Sequence, residues 1–199
     1  MTDTMKKTFL FCCVIVLTTL LSAQEIRVSI TPTSNVFHNK YVTGKTYGSP
    51  KLGLSTNLDY LFIKKKKFEF GFGLGYQSSR VLNLVQVSAI DLSEVSEKIN
   101  LCSINLKSIY KLSKEFYLSL DPSIDFQINY DTLQITDNQA GLGLSFGVGG
   151  NFRLNNVLSF NVEPRLWIHN IIPFHDIDQP FRLSFVGINL GLVFGHKID

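Results

Sequence analysis

A serine, a histidine and a carboxylate can be arranged for acyl transfer, and this chain offers many serines together with His169 and Glu163 at positions of the same parity. Such a set would suit a lipid-modifying hydrolase. In extended chain, however, residues 163 and 169 stand roughly 20 Å apart at about 3.3 Å per residue, so they cannot be direct partners and another acid would have to serve. His38, His169, His175 and Asp176 fall in or beside long connections, but no ligand spacing recurs among them, and they read as solvated residues without a metal. Lys64 to Lys67 has the look of a nucleic-acid patch. Sitting in a tight turn, it reads instead as a charged rim close to anionic headgroups. No cofactor, no metal and no nucleic-acid partner is expected.

The elements that must position these residues follow from composition and periodicity. The chain has 199 residues, of which 45% are hydrophobic, 12% aromatic and only 18% charged, with a net charge of +3. Mean hydropathy is +0.14. So much apolar surface excludes a disordered chain, and so small a charge excludes a strongly basic nucleic-acid binder. Lys6 and Lys7 precede an uncharged run from Thr8 to Leu21 and then Ser22-Ala23-Gln24. That is a basic n-region, a hydrophobic h-region too short to span a bilayer, and a small residue at a cleavage point. The expected organisation is a signal peptide over 1–23 and one domain over 24–199, with export implied. Cleavage would remove Cys12 and Cys13 and leave Cys102 alone, so no internal disulfide would staple the domain.

No apolar window after Leu21 is long enough for a spanning helix. Alternation with period two recurs instead. From Phe116 to Tyr130 the even positions are apolar and the odd ones largely polar; Phe68–Ser79, Gly141–Leu154 and Val157–His169 repeat the rule. Weaker runs cover Glu25–Pro32, Leu52–Phe62 and Ile104–Leu112, and a last strand reaches Phe194. In that strand Phe181, Leu183 and Phe185 are odd and the later apolar residues even, which predicts a bulge near Phe185. Short links at Ile63–Lys67, Ser113–Glu115 and Asn155-Asn156 alternate with longer ones at Phe37–Ser49, Arg80–Lys98, Asp131–Ala140 and Asn170–Pro180. The prediction is an all-β fold: an eight-stranded antiparallel up-and-down transmembrane β-barrel with short periplasmic turns and longer extracellular loops.

The chemistry of the two faces selects a membrane barrel over a soluble one. The apolar face is rich in Phe and Leu, while the other carries Gly, Ser and Asn, groups that suit a narrow lumen. Arg27, Lys107, Arg153 and Arg165 share the polar face with Asp59, Glu69, Asp121, Asp125 and Glu163, a set expected to form lumen ion pairs. His169 then becomes a lumen or rim residue. Tyr60, Tyr76, Tyr110 and Tyr130 near strand ends resemble interfacial girdles, whereas Trp167 points inward by parity. Asn189-x-Gly191-x-x-Phe194 looks like the signature read by outer-membrane assembly machinery, although His196 stands where a second aromatic is usual.

Lys51-Leu-Gly-Leu-Ser55, Phe68-Glu-Phe-Gly-Phe-Gly-Leu-Gly-Tyr76 and the strand from Gly141 to Phe152 together resemble the PorT-like outer-membrane β-barrel family of Bacteroidota. Cys102-Ser-Ile-Asn-Leu106 stands where that family has an Ile-Pro element. The resemblance implies an outer-membrane location and supplies no catalytic residues. The expected function is a small non-enzymatic barrel with a structural or interaction role in the cell envelope, binding through loops or bracing an envelope or secretion assembly. Its expected partners are outer-membrane lipid, the assembly machinery and an envelope protein. A lipid-modifying hydrolase and a narrow diffusion pore are the alternatives.

Overall fold

A computed structural model describes residues 25–38, 51–86, 92–129, 138–175 and 182–195. Segment 1–23, expected from the sequence to be a signal peptide, and Tyr130, Asp176 and His196 lie outside the described residues. The strands are β1 (Glu25–His38), β2 (Leu52–Lys64), β3 (Phe68–Gln86), β4 (Leu92–Lys111), β5 (Phe116–Gln127), β6 (Gly141–Arg153), β7 (Leu158–Pro173) and β8 (Arg182–Gly195). Each pairs antiparallel with its sequence neighbours, and β8 pairs with β1, giving a closed barrel in the order β1 to β8. Closure leaves no strand edge at the level where all eight run together.

Local chemistry accounts for the reversals. Asn155 Oδ1 accepts from the N–H groups of Val157 and Leu158 at 2.9 and 2.8 Å, an Asx turn between β6 and β7. Ser113 Oγ accepts from the N–H groups of Glu115 and Phe116 at 3.2 and 3.0 Å and does the same work between β4 and β5. These turns, the one at 65–67, Glu25 and Gly195 lie at one end of the barrel. Three interior prolines interrupt the ladders because proline brings no N–H. With the register unchanged, pairing is interrupted around Pro32 between β1 and β8, around Pro122 between β4 and β5, and around Pro164 between β6 and β7.

The exterior is predominantly apolar at the level where all eight strands run together. Along the described strands, the even positions from Ile26 to Ile30, Phe68 to Tyr76, Phe116 to Phe126 and Val186 to Phe194 carry no charged side chain. Large side chains such as Leu58, Phe72, Leu120, Phe146 and Ile188 stand exposed there.

Several sequence expectations need correction. No bulge occurs near Phe185: β8 pairs in continuous register from Leu183 to Phe194 against β1 or β7, so Leu183 and Phe185 turn into the lumen with the other odd residues. The predicted link at Arg80–Lys98 is mostly strand, because β3 and β4 stay paired out to Gln86 and Leu92. Likewise, β1 continues past Pro32 to His38. Tyr76 is consequently well inside β3 and not at its end. Irregularities do occur at Leu61/Ile63 and Leu142/Leu144. The second accompanies Asn170, whose φ of 54° is the one positive value at a non-glycine among the described residues.

Candidate functional site: a charged lumen capped by an apolar cluster

Odd-numbered positions point into the barrel, where polar side chains meet across strands that are distant in sequence. Nearest the turn end, Arg27 Nε donates to Glu25 Oε1 at 2.6 Å and Arg27 Nη2 to Glu69 Oε2 at 3.3 Å. Lys64 reaches Glu25 at 2.5 Å, and Lys111 reaches Glu69 at 2.5 Å. The Arg27 guanidinium also lies over the Tyr117 ring, 5.2 Å from its centroid.

At mid-height Lys107 Nζ lies 2.9 Å from Asp121 and 3.5 Å from Asp59. Arg165 holds Asp121 at 2.8 Å and Glu163 at 2.7 Å, and Ser119 Oγ donates to Glu163. Three cations against two carboxylates in the lower group meet two against three in the upper, so the ten charges cancel. Burial on this scale is tolerable only with such pairing. Glycines make the room: a Cβ on Gly147 would overlap the Glu163 carboxylate, and one on Gly149 would overlap the Tyr117 ring.

Side chains of this network also bridge the proline-interrupted seams. Ser108 N–H donates to Asp121 Oδ1 at 3.2 Å beside the β4–β5 break. Asn161 Nδ2 donates to the Gly150 carbonyl at 3.2 Å beside the β6–β7 break. Thr31 Oγ1 donates to Asn189 Oδ1 at 2.8 Å across the β1–β8 break. Each seam that loses a backbone bond thus gains a side-chain one.

Above the charges, His169 Nδ1 lies 2.7 Å from Asp125 Oδ2 and Nε2 lies 3.1 Å from Gln77 Oε1. Its ring also meets the edge of Phe185 at a centroid distance of 5.3 Å. Phe185 belongs to a buried cluster with Val81, Ile99, Leu101, Trp167 and Leu183 that caps the charged layers on the long-loop side.

Of the residues expected in the lumen, Arg27, Asp59, Glu69, Lys107, Asp121, Asp125, Glu163 and Arg165 are buried there. Arg153 is not: it is exposed at the turn rim, where Nε donates to the Asn155 carbonyl at 3.1 Å. Glu25, Lys64 and Lys111 join the network unforeseen. Continuing the odd parity of Arg27 and Lys107 would have found Glu25 and Lys111; Lys64 is even and turns inward because of the irregularity at Leu61/Ile63. Of the histidines, His175 is exposed beyond β7, away from buried His169. Among the described residues no three His, Cys, Asp or Glu side chains gather to hold a metal ion. In the C-terminal signature, Asn189 donates to Glu163 at 3.2 Å, Gly191 faces inward and Phe194 outward.

No protein-family model matches the chain, and no curated protein matches it. Solved structures do. The outer membrane protein OprG from Pseudomonas aeruginosa is similar at 12% identity and a TM-score of 0.53, covering 88% of this chain and 97% of that one. The outer membrane protein AlkL, solved in lipid bilayers, is similar at 11% identity and a TM-score of 0.51, covering 88% of this chain and 92% of that one. At these identities the likeness extends to the fold: this chain is a closed, eight-stranded, antiparallel β-barrel of the architecture found in small outer-membrane proteins.

Proposed function

We propose that the chain is a bacterial outer-membrane barrel, exported behind the segment 1–23, that serves the envelope through its two ends and neither conducts nor catalyses. One observation carries the reading, namely the inversion of its faces. Charges are buried in the lumen, while uncharged Phe, Leu, Ile and Val stand exposed around the outside. In water that exterior would be an aggregation surface; in hydrocarbon it is the favourable one. The fold likeness to OprG and AlkL supports the location. The glycine–aromatic runs on β2, β3 and β6 support membership of the PorT-like family, and the outward Phe194 near the end of β8 supports recognition by the assembly machinery.

A bracing or binding role fits a lumen already filled with paired side chains, which leaves little room for a diffusing solute. The hydrolase reading draws on the His169–Asp125 pair, but Gln77 occupies the other ring nitrogen where a nucleophile would have to sit. The test is fractionation with outer membranes together with heat-modifiable migration on gels. A water-soluble, detergent-independent monomer overturns the membrane reading. Altered membrane lipid composition on expression, lost with His169→Ala, would favour the hydrolase.

A further inference from the structure

The turn end of the barrel opens into a vestibule of about 800 Å³, and its charge is one-sided. Lys64, Lys66, Lys67, Lys111, Lys114 and Arg153 line it, against Glu25 and Glu115. Lys64 and Lys111 are held in place from below by the buried Glu25 and Glu69. Lys66, Lys67 and Lys114 lie on exposed turns and have no ion-pair partner among the described residues. One layer deeper, Arg27 engages Glu25 and Glu69 through Nε and Nη2, while its buried Nη1 has no hydrogen-bond partner among the described residues. Lys64 and Lys111 are therefore tethered to a hydrogen-bonded floor, and the uncompensated positive charge stands on the turns above it. Asn151 and Ser159 add neutral hydrogen-bonding groups to the wall.

We propose that this vestibule binds an acidic peptide segment of a protein partner presented on the turn side of the membrane. The inference rests on the membrane-barrel reading and gives its interaction role a partner chemistry. Shape separates a peptide from lipid. The cations surround a concavity inside the ring of turns, whereas leaflet headgroups would surround the barrel from outside. A volume of about 800 Å³ lies in the range of ligand-binding clefts. Lysine ammoniums on flexible stems suit several carboxylates spread along an extended chain better than they suit one planar group. Focusing of the field in a low-dielectric cup favours capture and makes it salt-sensitive.

The test uses the full chain folded in neutral detergent and a fluorescent hexaglutamate peptide, followed by anisotropy at low and high salt. Hexalysine is the control peptide, and phosphatidylcholine vesicles with and without phosphatidylglycerol form the lipid arm. Hexaglutamate binds, loses affinity with salt, and weakens on the order of ten-fold in the K66Q/K67Q/K114Q variant; hexalysine does not bind. Equal hexaglutamate affinity in parent and variant overturns the proposal. So does a variant defect confined to phosphatidylglycerol vesicles, which would assign the cations to headgroups. Heat-modifiable migration of the same samples reports the barrel itself, so absent binding in a preparation that still shows it overturns the vestibule alone.

Discussion

Asp121 anchors Lys107 at 2.9 Å from Oδ2 while its other oxygen accepts the Ser108 N–H at 3.2 Å. Arg165 reaches Oδ2 as well, at 2.8 Å. One carboxylate therefore bridges two buried cations, which have Asp59 and Glu163 as further counter-charges, and patches the ladder that Pro122 interrupts. Asp121→Asn should cost about 3–5 kcal/mol, because both cations lose their shared counter-charge in a buried setting. Denaturant unfolding of the barrel in detergent measures it, and a loss below about 1 kcal/mol would show that the network tolerates a missing member.

The space over Gly149 belongs to the Tyr117 ring. Gly149→Ala should cost about 1–3 kcal/mol by overpacking. In a Tyr117→Ala background most of that penalty should disappear, since the obstructing ring has gone. A double-mutant cycle reads this coupling directly. Additive losses would place the strain of Gly149→Ala in the backbone.

Leu120 stands exposed mid-way along β5, and Leu154 is exposed at the turn rim. If the exterior faces lipid, Leu120→Arg should cost about 2–4 kcal/mol and Leu154→Arg about 0–1 kcal/mol. Folding equilibria into lipid vesicles compare the two. Equal, small costs would argue for a wet exterior.

Phe185 caps the lumen together with Trp167 and Leu183. Phe185→Ala should lose about 3–5 kcal/mol of stability. Conductance in planar bilayers should nevertheless stay near background, because the ion-paired layers beneath remain filled. A steady open current in the variant would show that the apolar cap alone seals the barrel.

Parity made most of the architecture legible. Lys107, Glu163 and Arg165 could be assigned to the interior because a strand alternates with period two and lipid tolerates no charge on its own face. What parity could not supply was height and shear. Asp125 and His169 meet because β5 and β7 are staggered around a closed cylinder, a relation that no spacing along one strand encodes. Lys64 was hidden by the irregularity at Leu61/Ile63, which resets the alternation. Phe185 misled for another reason. An aromatic on the inward face looked like a phase error, when a lumen wide enough for a salt-bridge layer is also wide enough for an apolar one. The outer parts of β3 and β4 were concealed by Arg80 and Lys98, charges that mark a loop in a membrane band but are ordinary on paired strands beyond it.

Glu25 pairs with Gly195, so the first and last strands finish side by side at the rim that carries the tight turns. Around the cylinder this junction differs from the other three positions at that rim only in lacking a connecting peptide. A circular permutant joined from Gly195 to Glu25 through a short turn and opened between Asn155 and Asn156 would keep every strand neighbour and every lumen pair. The barrel is, in that sense, a ring without a privileged first strand. Its stability resides in the ordering of neighbours, not in where the ring happens to be cut.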